Sequence, residues 1–570
     1  MNFSRTRIFW LLALVCVLTL LPVLPLTPYH TKGEPRESVV SLSMLATDNW
    51  TLPRNNGGEM AYKPPFFHWC VAAVSAVQGR VSEASSRLPS ALALIAMTLC
   101  GYAFYARRRN TSTALLATLL AFTAFELHRA GANCRVDMVL TALTVCALYG
   151  LFRWHERGMR GIPIVAILLM GLGTLTKGPV GSIIPCLVMG VYMLLRRENF
   201  FKTLGLLALW GLLSLVPYAA WFYAAWQQGG QEFLDLMYEE NIGRMTSTMG
   251  YESCVEPWYY NFITLVAGWV PYTLLMLLSL FFLRYAKPAF EPRSWWQRLR
   301  NWVAEARAVD VFALTCVVVI FVFYCIPQSK RSVYLMPIYP FIAYFMARYV
   351  QWMADHRSRP LHLFNGILAT LALLLPVCLV ALKLGAVPDT MFHGRHAYKN
   401  ILMMHALRDI SAWWQWLVVV ITTAAGIAWW VLRRKLNHGR LAVAAMLGLV
   451  FALYLSLDMV YTPAVLHAKG IKGEMAAIEA AAPAAEGTLY EYIEEGVKAK
   501  GDPVHFFEVN FYLGNRIESF HKQRPQEGFL LILAADFELN RERFEREGYV
   551  FEQRYAEPKR QMRVYRFHKK

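Results

Sequence analysis

Glu34, Asp137, Arg36, Lys63, Arg244, Lys177 and Lys330 stand singly among glycine, proline and aromatic residues, in segments between long apolar blocks. Side chains of these types do two kinds of chemistry. A carboxylate accepts the proton of an attacking hydroxyl. A fixed cation stabilises negative charge that builds on a departing group. Each residue also has a plainer reading. Asp137 stands where it can cap a helix start. Lys177 and Lys330 sit at helix ends, where a lysine stem lies along apolar surface and the ammonium reaches water. The segments around 31–69 read, taken singly, as surface helices with their caps.

The apolar blocks decide where these residues are held. Of 570 residues, 56% are hydrophobic and 17% charged. A hydrocarbon core about 30 Å thick takes roughly 20 apolar residues as a helix. About thirteen blocks approach that length: 8–26, 88–106, 111–128, 138–152, 162–176, 179–195, 203–226, 259–283, 309–327, 333–352, 362–385, 412–432 and 441–460. The fold expected is a polytopic α-helical membrane protein.

The connections sort into two alternating sets. One carries Arg107 to Arg109, then Arg153, Arg157 and Arg160, then Arg196, Arg197 and Lys202, then Arg284 to Arg307, Arg348 to Arg359, and Arg433 to Arg440. An excess of Lys and Arg marks cytoplasmic loops. The other set holds 27–87, 129–137, 177–179, 227–258, 328–332 and 388–411, the segments of the isolated charges. The amino terminus is then expected inside and the carboxyl terminus outside. Arg5 and Arg7 precede the first block without a small-residue cleavage site after it, which reads as a retained signal-anchor. The net charge of +18 gathers at block ends, so it speaks for topology and anionic headgroups, not for nucleic acid. The ten cysteines show no CxxC spacing. Cys70, Cys134 and Cys254 fall in external segments, and a disulfide among them stays open.

Two domains are expected, a membrane domain over 1–461 with a long first external loop at 27–87, and an external α/β domain over 462–570. In the second, 474–485 and 537–548 read as helices, with Asp536 capping the latter and Gly548 ending it. The segments 504–513 and 529–534 read as strands, and 563–568 as an edge strand.

The external motifs occur in order: Glu34-Pro35-Arg36, Met44-Leu45-Ala46 with Trp50, Lys63-Pro64-Pro65 with Trp69, and Arg87-Leu88-Pro89-Ser90. Arg135-Val136-Asp137, Leu175 to Pro179, Asn241 to Arg244, and Ser329-Lys330 with Tyr334 to Pro337 follow. Together they resemble the aminoarabinose transferases of lipid A modification, a family related to the protein O-mannosyltransferases within the GT-C class of membrane glycosyltransferases. The resemblance covers roughly residues 8–350. It implies a polyprenyl-phosphate sugar donor (undecaprenyl phosphate in a bacterial inner membrane), a periplasmic active site, and lipid A, another envelope glycan or protein as acceptor. It also implies that Arg36, Lys63 and Arg244 contact the donor phosphate, and Lys177 and Lys330 can join them. A single displacement would invert the anomeric centre. With neither a nucleotide-binding loop nor a DxD diad in the outer segments, neither a nucleotide nor another cofactor is expected.

Two departures bear on the chemistry. The family opens its first motif with an Asp-Glu pair, whose Asp is the favoured carboxylate. Here Gly33 replaces that Asp, so Glu34 is the expected base, with Asp137 orienting, while Asp137 or Glu37 stays open as the alternative. The family's metal contacts, a Glu before the motif lysine and a His before the loop arginine, are replaced by Tyr62 and Asn241, and no metal is expected there. A transporter or flippase of a lipid-linked substrate is the competing reading. It predicts internal symmetry and helices broken at mid-membrane, and no repeat stands out in the sequence. An assembly factor that binds partners through 462–570 would leave the external charges without a purpose.

Overall fold

A computed structural model describes residues 4–240, 255–282, 292–394, 396–436, 438–493 and 505–570. Every apolar block contains helix. Among the described residues eight helices are long and apolar enough to cross a bilayer: Arg5–Val23, Glu83–Arg108, Val136–Glu156, Phe200–Tyr238, Ala308–Cys325, Arg359–Lys383, Trp413–Leu432 and Gly439–Lys469. Tyr260–Gly268 and Tyr272–Phe282 pass the same test only together, and are bent by 98° at the break between them. Shorter helices Thr111–Phe122, Ile164–Lys177, Val180–Leu195 and Tyr339–His356 occupy the remaining blocks. The turn between two of these is set by Gly178, at φ +84°, a backbone state glycine reaches without Cβ strain, followed by Pro179 at the next helix start.

Members of each set of connections meet one another in space. Residues of the basic set meet one another: Arg109 and Arg348 both lie 3.2 Å from Asp310, Arg108 pairs with Glu156, His155 lies 3.2 Å from Glu198, and Arg196 donates to the Val303 carbonyl at 3.2 Å. Aromatic packing joins the helices above them, with Phe104 stacked on Tyr149 at 4.2 Å and Tyr105 on Tyr344 at 4.6 Å. Segments of the other set converge at a cavity described below. The protein is a polytopic α-helical integral membrane protein.

The last membrane helix runs through a π-helical turn, Leu457–Tyr461, to Lys469. A five-stranded sheet follows: β3 (Leu489–Glu491), β4 (Ile517–Ser519), β5 (Glu527–Leu533), β6 (Tyr549–Glu557) and β7 (Met562–Lys569), in the order β4-β3-β5-β7-β6. β3 pairs in parallel with β4 and β5, and β7 is antiparallel to β5 and β6. Strand 563–568 is therefore internal, and β6, whose burial does not alternate strictly, takes the edge. The expected strand at 504–513 is instead the helix Phe507–Tyr512, residue 504 lying outside the described residues. Its apolar side chains face two ways, Val509 into the sheet core and Phe511 onto Tyr29 at 4.8 Å, which imitates a buried strand in sequence. The helix after β5 starts at Ala534, so Asp536 lies in its first turn and is not its cap.

This domain braces the first external loop. A hairpin of β1 (Arg54–Asn55) and β2 (Glu59–Met60) turns at Gly57, φ +79°, where an added Cβ would fall 2.3 Å from the Ser519 nitrogen. His505 reaches both sides, with Nε2 2.8 Å from Glu59 and Nδ1 2.6 Å from Glu491. Burial would lower its pKa, but the two carboxylates outweigh that and raise it to about 10, so both ring nitrogens donate. Lys472 and Tyr512 hold Glu83 at 2.6 and 2.9 Å. Cys70 and Cys134 are free thiols, and Cys254 lies outside the described residues.

Candidate active site

The helix Gly33–Thr47 starts close behind the first membrane helix. With 3.6 residues per turn, positions i, i+3 and i+4 share a face, and Gly33, Arg36 and Glu37 present theirs to a cavity of about 300 Å³. Tyr62 and Lys63 enter from the stretch after β2, and Arg135 and Asp137 from the start of the helix Val136–Glu156. Lys177 enters from a helix end, and Tyr324, Arg331 and Tyr334 from the 324–334 segment. Segments far apart in sequence thus place five cations and three carboxylates (Glu37, Asp137 and Glu240) around one space.

Glu37 organises the cationic wall. It is 4% exposed. Its Oε1 accepts from Arg36 Nη2 at 2.7 Å and from Lys63 Nζ. Burial would raise its pKa, but the Lys63 and Arg36 charges and a hydrogen bond from His68 hold it well below the usual carboxylate range. Desolvation and the Arg36 charge lower the Lys63 ammonium to about 8, against the pull of Glu37. Asp137 pairs with Lys177 through Oδ1, and Oδ2 accepts no hydrogen bond among the described residues. Lys177 also lies 4.3 Å from the Tyr334 ring centre. Arg135 and Arg331 make no ion pair among the described residues, so the space keeps a positive excess suited to an anion.

Two expected site residues are placed elsewhere. Glu34 is fully buried behind the wall. It accepts from Arg87 Nε at 2.8 Å and from the Cys134 backbone N–H at 3.1 Å. Burial would raise its pKa, yet the Arg87 charge and hydrogen bonds bring it below the ordinary value. Its Oε2 lies 3.4 Å from His30 Nδ1, and the carboxylate expected as the base is not among the residues that line the cavity. Lys330 is 6% exposed and donates to the backbone carbonyls of Glu256 and Gln328 at 3.0 and 3.4 Å. It caps the bridge between Val255 and Ser329, while its neighbour Arg331 faces the cavity. Arg244 and Asn241 lie outside the described residues. Tyr62 lines the cavity where a metal-binding carboxylate was implied, and a phenol is a poor replacement for that ligand.

Sequence and fold comparisons relate the chain to known proteins. A family model described as dolichyl-phosphate-mannose-protein mannosyltransferase matches residues 62–222. An uncharacterised protein of Aquifex aeolicus is 27% identical over 371 residues, covering 63% of this chain and 69% of that one. The undecaprenyl phosphate-alpha-4-amino-4-deoxy-L-arabinose arabinosyl transferase 1 of Pseudomonas fluorescens is 23% identical over 399 residues, covering 67% of this chain. The match spans 66% of that transferase's length, a little under two thirds. ArnT from Cupriavidus metallidurans, solved with undecaprenyl phosphate bound, superposes with a TM-score of 0.67 at 18% identity, covering 99% of this chain and 98% of that one. In sequence and in fold, the chain resembles the GT-C superfamily of membrane glycosyltransferases that holds the aminoarabinose transferases and the protein O-mannosyltransferases.

Proposed function

We propose that this protein is an inverting glycosyltransferase that moves a sugar from a polyprenyl phosphate, undecaprenyl phosphate in a bacterial inner membrane, to lipid A or another extracytoplasmic acceptor. The observation that carries this reading is the pairing of a carboxylate, Asp137, with a cation-rich wall across one small cavity. The named activities of the relatives support it.

In the reaction, an acceptor oxygen attacks the anomeric carbon as the bond from that carbon to the phosphate oxygen breaks. The electron pair stays on the phosphate, and the polyprenyl phosphate leaves with an added negative charge. Lys63 and Arg36, fixed by Glu37, meet that charge without reorganising; the family resemblance gives Arg244, which lies outside the described residues, the same role. Asp137 takes the acceptor's proton through Oδ2, with Lys177 on Oδ1 setting its orientation. Glu37 is the weaker base, since three side chains already occupy its oxygens. Tyr62 stands in the wall where the family's metal-binding carboxylate was implied, and the residues named here carry the displacement by charge and proton transfer. The test is direct. Purified protein supplied with an undecaprenyl-phosphate sugar and an envelope lipid extract transfers the sugar covalently, as read by mass analysis. Movement of the donor across vesicles with no covalent product would favour a flippase instead.

The same reading places the cavity, the carboxyl terminus and residues 462–570 in the periplasm, with the amino terminus in the cytoplasm. In a cysteine-free background, Thr390→Cys is expected to react with an impermeant maleimide in spheroplasts, and Arg160→Cys only after lysis. Labelling of Arg160→Cys in intact spheroplasts would reverse the orientation.

A further inference from the structure

His68 lies outside the cavity. It is 1% exposed, on the helix Phe66–Gln78 that begins after Lys63-Pro64-Pro65. Its Nε2 is 2.9 Å from Glu37 Oε2. A buried, ionised carboxylate oxygen only accepts, so Nε2 is the donor. Nδ1 is buried with no hydrogen-bond partner among the described residues, so among them the ring has one polar engagement, and it is with Glu37. The backbone holds the same junction: the His68 carbonyl accepts from Ser41 Oγ at 3.2 Å, one helical turn beyond Glu37. The helix bearing His68 is thereby tied twice to the helix bearing Arg36 and Glu37, with Lys63 at its entrance.

The division of Glu37's oxygens follows. Oε2 is taken by His68, so only Oε1 is presented to the cations, and Arg36 and Lys63 must share it. A shared single oxygen leaves both cations with unused N–H donors. We propose that His68 is a positioning residue, which by holding Oε2 keeps Glu37 from chelating Lys63 and so leaves the ammonium and the Arg36 guanidinium available to the phosphate of the lipid carrier. This deepens the transferase reading and rests on it for the identity of the anion.

Without the Nε2 donor, Oε2 becomes a buried, unpaired carboxylate oxygen, an arrangement that costs free energy until another donor is found. The donor within reach is Lys63, whose ammonium carries three N–H groups. Two oxygens on one ammonium would hold it away from the lipid phosphate and hold its proton more tightly.

The experiment compares wild type, His68→Gln, which keeps an amide N–H near the Nε2 position, and His68→Phe, which keeps a ring and loses the donor. His68→Leu stands in should the Phe variant fail to fold. The probes are undecaprenyl phosphate alone, for binding, and the undecaprenyl-phosphate sugar, for turnover, both per mole of folded protein. The expected result is at least tenfold weaker binding and a matching loss of kcat/KM in His68→Phe, recovery to within a few-fold in His68→Gln, and an alkaline limb of kcat/KM moved upward from about 8 in the Phe variant. A merely structural histidine would alter the yield of folded protein and leave that limb in place. Equal binding by all three proteins, or a Gln variant as impaired as the Phe variant, overturns the proposal. Binding by wild type without turnover would remove the transferase reading and leave His68 to be judged on the binding series. A wild type that neither binds nor turns over removes both.

Discussion

Lys63→Ala is expected to lower kcat/KM by about 10²–10³, the usual cost of losing one preorganised group that meets developing charge. Folding is expected to survive, because Glu37 keeps Arg36 and His68 as donors when the lysine goes. The pH dependence separates a charge effect from a packing effect. The ammonium, lowered to about 8, is present below that pH and lost above it. The donor's phosphate is a diester and does not titrate there, and kcat/KM reports the free enzyme. The wild-type profile should therefore be flat up to about pH 7 and fall by up to tenfold per unit above 8. Lys63→Arg carries a charge that does not titrate, so its profile should stay flat through pH 9, although misfit of the fork lowers its rate. An unchanged alkaline limb in Lys63→Arg would remove Lys63 from that limb, and full activity in Lys63→Ala would remove it from the phosphate site.

The parts of this arrangement legible in sequence are those encoded locally. Apolar blocks and the basic residues at their ends predict helices and two sets of connections, and members of each set meet in the structure, Arg109 and Arg348 at Asp310, and Arg36, Lys63 and Asp137 around the cavity. What sequence hid was direction. Lys330 and Arg331 are adjacent in an extended segment, where neighbouring side chains point to opposite faces, so one caps carbonyls and the other enters the cavity. Glu34 was hidden for a related reason. Read as a helix, 33–37 groups Gly33, Arg36 and Glu37 and turns Glu34 about 100° away, and that periodicity was the available signal. Its partner Arg87 lies 53 residues on, and no local pattern joins them. His68 gave no sign, since its meaning depends wholly on Glu37. In the carboxyl-terminal domain, β3 and β4 are each three residues long, too short to show alternation.

Asp137→Asn is expected to cost about 10²–10⁴ in kcat, the range for losing a general base, with little change in binding of undecaprenyl phosphate. The amide keeps the shape and can still accept from Lys177, but it cannot take a proton. Glu34→Gln should behave in the opposite way. Its carboxylate faces Arg87, both fully buried, and breaking such a pair strands the remaining charge at a cost of about 3–5 kcal/mol. That cost falls on folding, so Glu34→Gln should reduce the folded yield and the melting temperature while the surviving folded protein turns over at near wild-type rate. Gly33→Asp adds a third reading. A Cβ there would stand 3.5 Å from Arg135 Nη1, ordinary contact, so the new carboxylate fits the cavity wall beside a guanidinium with no other ion pair among the described residues. It should fold, and in the Asp137→Asn background it should restore part of the lost rate if a carboxylate at either position can reach the acceptor's proton. A folded Glu34→Gln protein without turnover, beside an active Asp137→Asn, would return the base to Glu34 and require the helix Gly33–Thr47 to rotate during the reaction. Full activity in both variants would leave proton transfer to the acceptor without any carboxylate, and the displacement proposed for this cavity would fall with it.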